Sequence, residues 1–178
     1  MSDTTLSDAP PTTHVSAAMA DAVGTEIGRS VSHPVTDSDI RRWAIAVYWP
    51  DPPPSRFLEP AADGGPLVAP EEINPFAWSV ASRSEDPLEG TTGHDPDRTE
   101  KQVGIEGPGL TNMLNGGLTV EYGVPIRAGD VITSVRRLGP YSEREGRLGL
   151  MLFSRTEDTW TNADGEVVRH TVNTLIRY

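Results

Sequence analysis

Apolar residues recur with a helical period in the first third of the chain. They are Ile40, Trp43, Ala44 and Val47, which follow the i, i+3, i+4, i+7 pattern. Thr36 is a good N-cap for this segment, and Asp37 and Asp39 favour the positive end of a helix. Pro50 and residues 52–54 remove backbone donors and end it. The pattern therefore predicts a helix that begins after Thr36 and stops before a proline-rigid loop.

A second set of apolar residues at helical spacing follows a connection rich in Gly, Pro and Asp. They are Ile73, Phe76, Ala77 and Val80. Asn74 and Pro75 can serve as N-cap and first helical residue, so a second helix is expected to begin at Ala69 or at Asn74. We expect a ligand site where residues 42–54 meet residues 67–78. The polar, glycine-containing stretch 84–109 predicts a binding loop, a lid or disorder.

The period changes to that of β-strands in the C-terminal part. Strands are predicted at 118–122, 131–138, 148–160 and 167–178. Turn signals lie at 128–130, at Gly139 and Pro140, and at 162–165. Together with the helices, these strands predict an α+β fold in which a helix lies on one face of an antiparallel meander. Long edge strands favour pairing with another copy or a partner.

Composition narrows the possible functions. Residues 1–22 lack a sustained period and predict a disordered tail, so the folded domain is expected to span 23–178. The net charge of −11 argues against nucleic acid and anionic membranes as partners. No apolar run approaches the roughly 20 residues of a membrane span, and no signal peptide is recognisable. The absence of cysteine fits a cytoplasmic protein, and no spacing typical of metal ligands occurs.

Five segments, taken in order, carry a family resemblance. They are 36–47 (TDSDIRRWAIAV), 65–70 (GPLVAP), 114–122 with 125–130 (LNGGLTVEY, PIRAGD), 146–153 (GRLGLMLF) and 162–168 (NADGEVV). This succession resembles the N-terminal, FAS1-like dehydratase domain of MaoC-like acyl dehydratases, which are related to (R)-specific enoyl-CoA hydratases. The resemblance implies a single hot-dog fold, in which a long antiparallel sheet wraps a central helix.

The resemblance also implies a function. Two such domains enclose a tunnel for an acyl chain carried on coenzyme A or acyl carrier protein, and no further cofactor is expected. The reaction is reversible hydration of a trans-2-enoyl thioester to the (R)-3-hydroxyacyl thioester. It needs an acid, a base and a donor to the thioester carbonyl.

The catalytic motif of the family is absent from its expected position. Active members carry an Asp and a His in a pattern like D-x-N-P-x-H after the first helix. Without a gap, these positions fall on Trp49 and Pro54; if the frame is shifted so that Asp51 is the acid, the His position becomes Arg56. We therefore expect a non-catalytic subunit of a heterodimer or heterotetramer, whose MaoC-like partner supplies the Asp and His.

Other functions remain open at this stage. Asp51 or His94 could support hydration by the chain alone, Glu71 or Glu72 could serve a hot-dog thioesterase, and the chain could bind acyl-CoA without turnover. Candidate substrate-binding residues are expected in three places. They are Trp49 and Trp78 as tunnel walls, Asn115 and Gly116 where the backbone allows close approach, and Arg127 as a contact for coenzyme A phosphates.

Overall fold

Five antiparallel strands form a single sheet. The computed structural model describes residues 13–60, 62–77 and 95–178. Its strands are β1 (Glu26–Val31), β2 (Met113–Tyr122), β3 (Thr133–Gly146), β4 (Gly149–Thr161) and β5 (Val167–Arg177), and they lie in the order β1-β3-β4-β5-β2. The helices are α1 (Ala17–Asp21), α2 (Asp37–Tyr48) and α3 (Arg98–Gln102), with a 3₁₀ turn at Ser55–Phe57. The α+β class and the β3-β4-β5 meander are confirmed.

The turn between β4 and β5 is the one predicted at residues 162–165. The Asn162 side-chain oxygen accepts the backbone N–H groups of Asp164 (3.1 Å) and Glu166 (2.9 Å), and the Asn162 N–H donates to the Glu166 carbonyl at 3.0 Å. Gly165 has a φ of +80°, which favours glycine. The asparagine and the glycine thus close the hairpin and set the β4–β5 register.

The turn predicted at Gly139 and Pro140 is wrong. Strand β3 continues through both residues, and its register against β4 shifts between Leu138 and Tyr141. One extra residue on β3 makes this a β-bulge, where Pro140 can reside because no ladder hydrogen bond is required from it. The chain reverses later, between Gly146 and Gly149, so that β3 is longer than expected.

The predicted disordered tail, residues 1–22, is wrong for the part that the structure describes. Ser16 caps α1 by accepting the Met19 N–H at 3.2 Å, and Met19 is fully buried. His14 donates its backbone N–H to the Glu143 carboxylate and brings Nε2 to 3.0 Å from the Leu150 carbonyl oxygen. Residues 13–22 are therefore attached to β3 and to the start of β4. Residues 1–12 lie outside the described residues.

Helix α2 begins where its cap predicts. The Thr36 hydroxyl accepts the Asp39 N–H at 3.1 Å, and the Asp39 carboxylate accepts the Thr36 N–H at 3.0 Å, which is a capping box. Ile40 and Ala44 are fully buried, whereas Val47 is 49% exposed. The apolar stripe therefore contacts the domain over its first two turns only. The core that it joins consists of Val35, Ile40, Leu67, Ala69, Ile73, Ile126, Ile132, Trp160 and Val168.

No α-helix forms in residues 69–77, although one was predicted to begin at Ala69 or Asn74. The described part of this segment contains turns at 71–72 and 75–76. Ile73 is nevertheless buried, so the apolar positions are used for packing without a helix. The remainder of the predicted helix lies outside the described residues. Within the described ranges, none of the helices is long and apolar enough to cross a membrane.

Candidate functional site

A cavity of about 310 Å³ lies where the two predicted apolar stretches meet. We call it the α2 cavity. Its lining comes from residues 33–35, from Asp39, Arg42, Trp43 and Ala46 on α2, and from residues 73–75 and 77. The four α2 residues are spaced i, i+3, i+4, i+7 and therefore share one face of the helix. The cavity is mostly apolar with a few polar groups, as is typical of sites for small ligands.

Local hydrogen bonds hold two walls of the α2 cavity in place. Val35 donates its N–H to the Asp130 carbonyl at 2.9 Å and accepts the Gly129 N–H at 2.8 Å. On the other wall, the Asn74 side-chain oxygen accepts the Phe76 N–H at 3.1 Å. The Phe76 ring meets the Trp160 ring edge-on, with centroids 4.9 Å apart. Both walls are thus attached to the core, which makes the cavity a preformed feature.

One residue that lines the α2 cavity carries a buried donor without an acceptor. The Trp43 Nε1 is buried and has no hydrogen-bond partner among the residues that the structure describes. A buried polar group without a partner costs on the order of 1–3 kcal/mol. A ligand oxygen placed near Trp43 would remove this cost, so the cavity is suited to an apolar group that bears a hydrogen-bond acceptor.

The titratable side chains of the α2 cavity do not form an acid–base pair. Asp39 is occupied by Thr36, whose hydroxyl donates to the Asp39 carboxylate at 2.7 Å. His33 and Arg42 are exposed. Among the residues that the structure describes, no hydrogen bond joins His33 to Asp39. The arrangement can bind and orient a ligand, but it lacks the coupled carboxylate and imidazole of a hydratase.

Trp49 and Asp51 lie beyond the end of α2, outside the α2 cavity. Trp49 is the C-cap residue, donates its N–H to the Ile45 carbonyl at 3.1 Å, and has 78% of its surface exposed. Asp51 is exposed as well, and its N–H donates to the Tyr48 carbonyl at 2.8 Å. The role predicted for Trp49 as a tunnel wall thus requires a surface supplied by another chain.

Arg56, which takes the His position in the shifted frame, contacts an aromatic ring of the fold. The Arg56 guanidinium lies over the Phe57 ring, 4.5 Å from its centroid. Phe57 is buried and its ring approaches that of Tyr48 at 6.0 Å. The proline-rich segment is therefore folded back on α2 by aromatic packing. His94 and Trp78, two further predicted site residues, lie outside the described residues.

Asn115 and Gly116 form a β-bulge in β2. The register against β5 shifts between Asn115 and Gly117, and the Asn115 side-chain oxygen accepts the Gly117 N–H at 2.9 Å. A Cβ on Gly116 would lie 2.8 Å from a Thr174 methyl carbon. The predicted close backbone approach is therefore present, but the neighbour is β5. Asn115 also borders a shallow groove of about 400 Å³ between β2 and β5.

Arg127, Glu71 and Glu72 are further site candidates from the sequence. Arg127 is exposed, donates its N–H to the Asp130 carboxylate at 2.7 Å, and forms an isolated bridge with Val68. It does not line the α2 cavity. Glu71 and Glu72 are exposed in a turn, so they do not stand in the first turn of a helix as the sequence predicted.

The sequence did not predict that His33, Arg42 and Trp43 line one cavity. Trp43 belongs to the apolar period of α2, and no local pattern singled out His33 or Arg42. The helical spacing of Asp39, Arg42, Trp43 and Ala46 is a signal that could have placed them on one face. The unpaired state of the Trp43 N–H depends on distant residues, so no local pattern could have revealed it.

No curated protein matches the chain. The family model described as FAS1-like, dehydratase domain region, matches residues 21–171. Among solved structures, the chain is similar to the ChsH1–ChsH2 complex from Mycobacterium tuberculosis, with 16% identity, a TM-score of 0.58, and coverage of 90% of this chain and 89% of that chain.

Two further solved structures are similar to the chain. The (R)-hydratase PhaJ1 from Pseudomonas aeruginosa is 14% identical, with a TM-score of 0.50 and coverage of 87% of this chain and 81% of that chain. A MaoC-like dehydratase from Rhodospirillum rubrum is 18% identical, with a TM-score of 0.46 and coverage of 85% and 90%. The expected hot-dog fold is confirmed, and the family model confirms the resemblance to the FAS1-like dehydratase domain. Because the family model spans most of its 178 residues, this chain belongs to the FAS1-like dehydratase domain family.

Proposed function

We propose that this chain is a non-catalytic subunit of a heteromeric (R)-specific trans-2-enoyl-thioester hydratase. In this proposal a second hot-dog chain supplies the catalytic Asp and His, and this chain shapes the acyl site. The observation that carries the proposal is the replacement of both motif positions, by Trp49 and Pro54 in one frame and by Arg56 at the His position in the other. Neither frame leaves a carboxylate and an imidazole together.

The geometry around the motif position is consistent with a non-catalytic role for this chain. Asp51 is exposed, and within the described residues no hydrogen bond links its carboxylate to a histidine. Hydration needs a base for the water and an acid for the α carbon, both held within hydrogen-bond reach of the substrate. A solvent-facing Asp51 without a partner does not meet that requirement.

The α2 cavity supports the binding part of the proposal. Its apolar walls suit an acyl group, and the unpaired Trp43 N–H suits the carbonyl or hydroxyl oxygen of a thioester or its hydrated product. Coenzyme A or acyl carrier protein would carry the acyl group, with Arg127 as the proposed contact for coenzyme A phosphates. The cysteine-free sequence fits a complex that works in the cytoplasm.

Exposed apolar surfaces support the existence of a partner. On α2, Ile45 is 50% exposed and Val47 is 49% exposed, and Trp49 after the helix is 78% exposed. On the edge strand β2, Leu118 is 63% exposed. Large apolar side chains that are exposed on two elements are consistent with surfaces that a partner covers. The similar ChsH1–ChsH2 structure is a complex of two named chains, in keeping with a two-chain arrangement here.

The test measures hydration of a short and a bulky trans-2-enoyl-CoA by the purified chain. The chain is assayed alone and after co-expression with a MaoC-like partner that carries the Asp and His. We expect turnover only in the mixture, with loss of activity when the partner's Asp is replaced by Asn. The partner alone provides the baseline that shows what this chain adds.

Turnover by this chain alone would overturn the proposal. In that event Asp51→Asn and His94→Gln would identify the residue responsible, with Asp63→Asn as a control for an exposed carboxylate of the neighbouring loop. Release of free coenzyme A without hydration would instead support a thioesterase, for which Glu71→Gln and Glu72→Gln are the corresponding variants.

A further inference from the structure

A second cavity, of about 260 Å³, is lined in part by the core residues Ala69 and Trp160, neither of which lines the α2 cavity. Its walls are residues 69–71, residues 122–126, and Trp160, Val168 and Arg169. We call it the Arg169 cavity. Ile126, Trp160 and Val168 are buried core residues, so the inner wall is rigid and apolar. Arg169 supplies the cationic group of this lining.

The Arg169 guanidinium is stacked but not paired. It lies over the Trp160 ring with the guanidinium carbon 3.6 Å from the ring centroid, and it is partly buried. Its Nε is buried and has no hydrogen-bond partner in the part of the chain that the structure describes. Among the described residues, no carboxylate lies within ion-pair distance of Arg169. Stacking on Trp160 fixes the plane of the guanidinium and leaves its terminal Nη groups to donate to a ligand.

The acidic groups near Arg169 are already engaged or exposed. Asp158 accepts hydrogen bonds from the Ser134 hydroxyl at 2.6 Å and from the Trp160 Nε1 at 3.1 Å. Burial lowers the pKa of Arg169, and the charges of Tyr122 and Asp158 offset only part of that effect. Glu71 borders the cavity but is exposed to solvent. The cation is therefore without the close acceptor that a partly buried guanidinium requires.

Arg177 shows how this chain satisfies a buried arginine when the role is structural. Its guanidinium donates to Asp97 at 3.0 Å and to Glu100 at 2.6 Å. The contrast is informative because the protein carries an excess of 26 acidic over 15 basic residues. With so many carboxylates present, an unpaired guanidinium in a cavity indicates a position reserved for an acceptor from outside the chain.

We propose that the Arg169 cavity binds an amphiphilic monoanion, a ligand with a single carboxylate on an apolar body. The carboxylate accepts hydrogen bonds from the Arg169 N–H edge, which is the strong charge-assisted geometry for a guanidinium. The apolar body lies against Val168, Ile126 and the residues beside them. The exposed Glu71 carboxylate repels a dianion about twice as strongly as a monoanion, which favours a carboxylate over a phosphate dianion. This site is separate from the hydration function proposed above.

The test uses octanoate as the probe on the full chain, followed through the Nε–H resonance of Arg169 by nitrogen-15 NMR. That resonance is assigned from its contacts with the Trp160 ring. We expect a saturable shift with octanoate and roughly tenfold weaker binding of octanamide, which keeps the apolar body but loses the charge. Inorganic phosphate at the same concentrations should leave the resonance unchanged.

Two variants separate this site from the α2 cavity. Arg169→Gln should abolish octanoate binding at this position, whereas Ala46→Phe, which fills the α2 cavity, should leave the Arg169 shift intact. Equal binding of octanoate and octanamide by the unaltered chain would overturn the proposal, and so would binding of phosphate as tight as that of octanoate. If Arg169→Gln fails to fold, the comparison of octanoate with octanamide still decides.

Discussion

Arg177 is 1% exposed and lies between two carboxylates of a segment far away in sequence. It donates to Asp97 and Glu100, and Ser154 accepts from its Nη2 at 2.6 Å. The Asp97 carboxylate also accepts the Gly109 N–H at 2.9 Å. One arginine thus attaches the chain before β2 to the sheet. Breaking such a buried pair is costly because it leaves charges without compensation.

We therefore expect Arg177→Met to lower the free energy of unfolding by about 3–5 kcal/mol, measured by urea denaturation. Arg29→Met is the matched control, since Arg29 pairs with Glu26 on the surface at 2.8 Å, where solvent screens the pair, and its loss should lower the stability far less. Equal effects of the two substitutions would show that the buried network does not contribute as its geometry implies.

Tyr141 extends this network and makes it sensitive to alkaline pH. Its hydroxyl donates to Glu100 at 2.8 Å, and burial, followed by this hydrogen bond, raises the pKa of Tyr141 above its ordinary value. Because the phenol ionises more easily in the unfolded chain, its stabilising contribution is complete below about pH 10 and declines above it.

Unfolding measured between pH 9 and about 11 should therefore show a steeper loss of stability for the unaltered chain than for Tyr141→Phe. Tyr178→Phe, at the C-terminus of the chain, serves as the control. Identical pH slopes for the unaltered chain and Tyr141→Phe would contradict the burial of the phenol.

The start of helix α2 depends on two side chains. Thr36 and Asp39 satisfy each other's backbone N–H groups. Thr36→Ala should lower the free energy of unfolding by about 1 kcal/mol, whereas Ser38→Ala, at an exposed position of the same helix, should have little effect. Because Asp39 also borders the α2 cavity, loss of the cap should weaken ligand binding there. Thermal unfolding and acyl-ligand titration of both variants provide the measurements.

These elements also show what a sequence can predict. The helix from Asp37 to Tyr48 and the turn at 162–165 follow from local signals, since a cap, a period and a glycine act over a few residues. The turn predicted at Gly139 and Pro140 was wrong because the same dipeptide suits a turn or a bulge. Which of the two forms depends on how β4 pairs with β3.

The candidate sites are less predictable from the sequence because they too depend on contacts between distant residues. The meeting of residues 42–54 with 67–78 was predicted from apolar spacing alone. The unpaired N–H groups of Trp43 and Arg169 were not, because an absent partner is a property of the folded chain. Arg177 and Glu100 are 77 residues apart, and no local pattern links them.

For the molecule as a whole, the sheet edge at β2 is the surface best suited to a partner. Among the described residues, β2 pairs with β5 alone, and Leu114, Leu118 and Tyr122 along it are exposed. An unpaired edge with apolar side chains is a template for association with another chain. The proposed catalytic subunit would cover it and bring its Asp and His to the acyl site.

Leu118→Lys tests this arrangement directly. The side chain is largely exposed, so the free energy of unfolding of the isolated chain should change by no more than about 0.5 kcal/mol. Association with the co-expressed partner, measured by analytical ultracentrifugation, should weaken because a charge is placed in an apolar contact. Leu148→Lys is the matched control, since Leu148 is similarly exposed but lies in the turn between β3 and β4. If both variants associate with the partner as the unaltered chain does, β2 is not the interface, and the exposed end of α2 around Trp49 becomes the surface to alter.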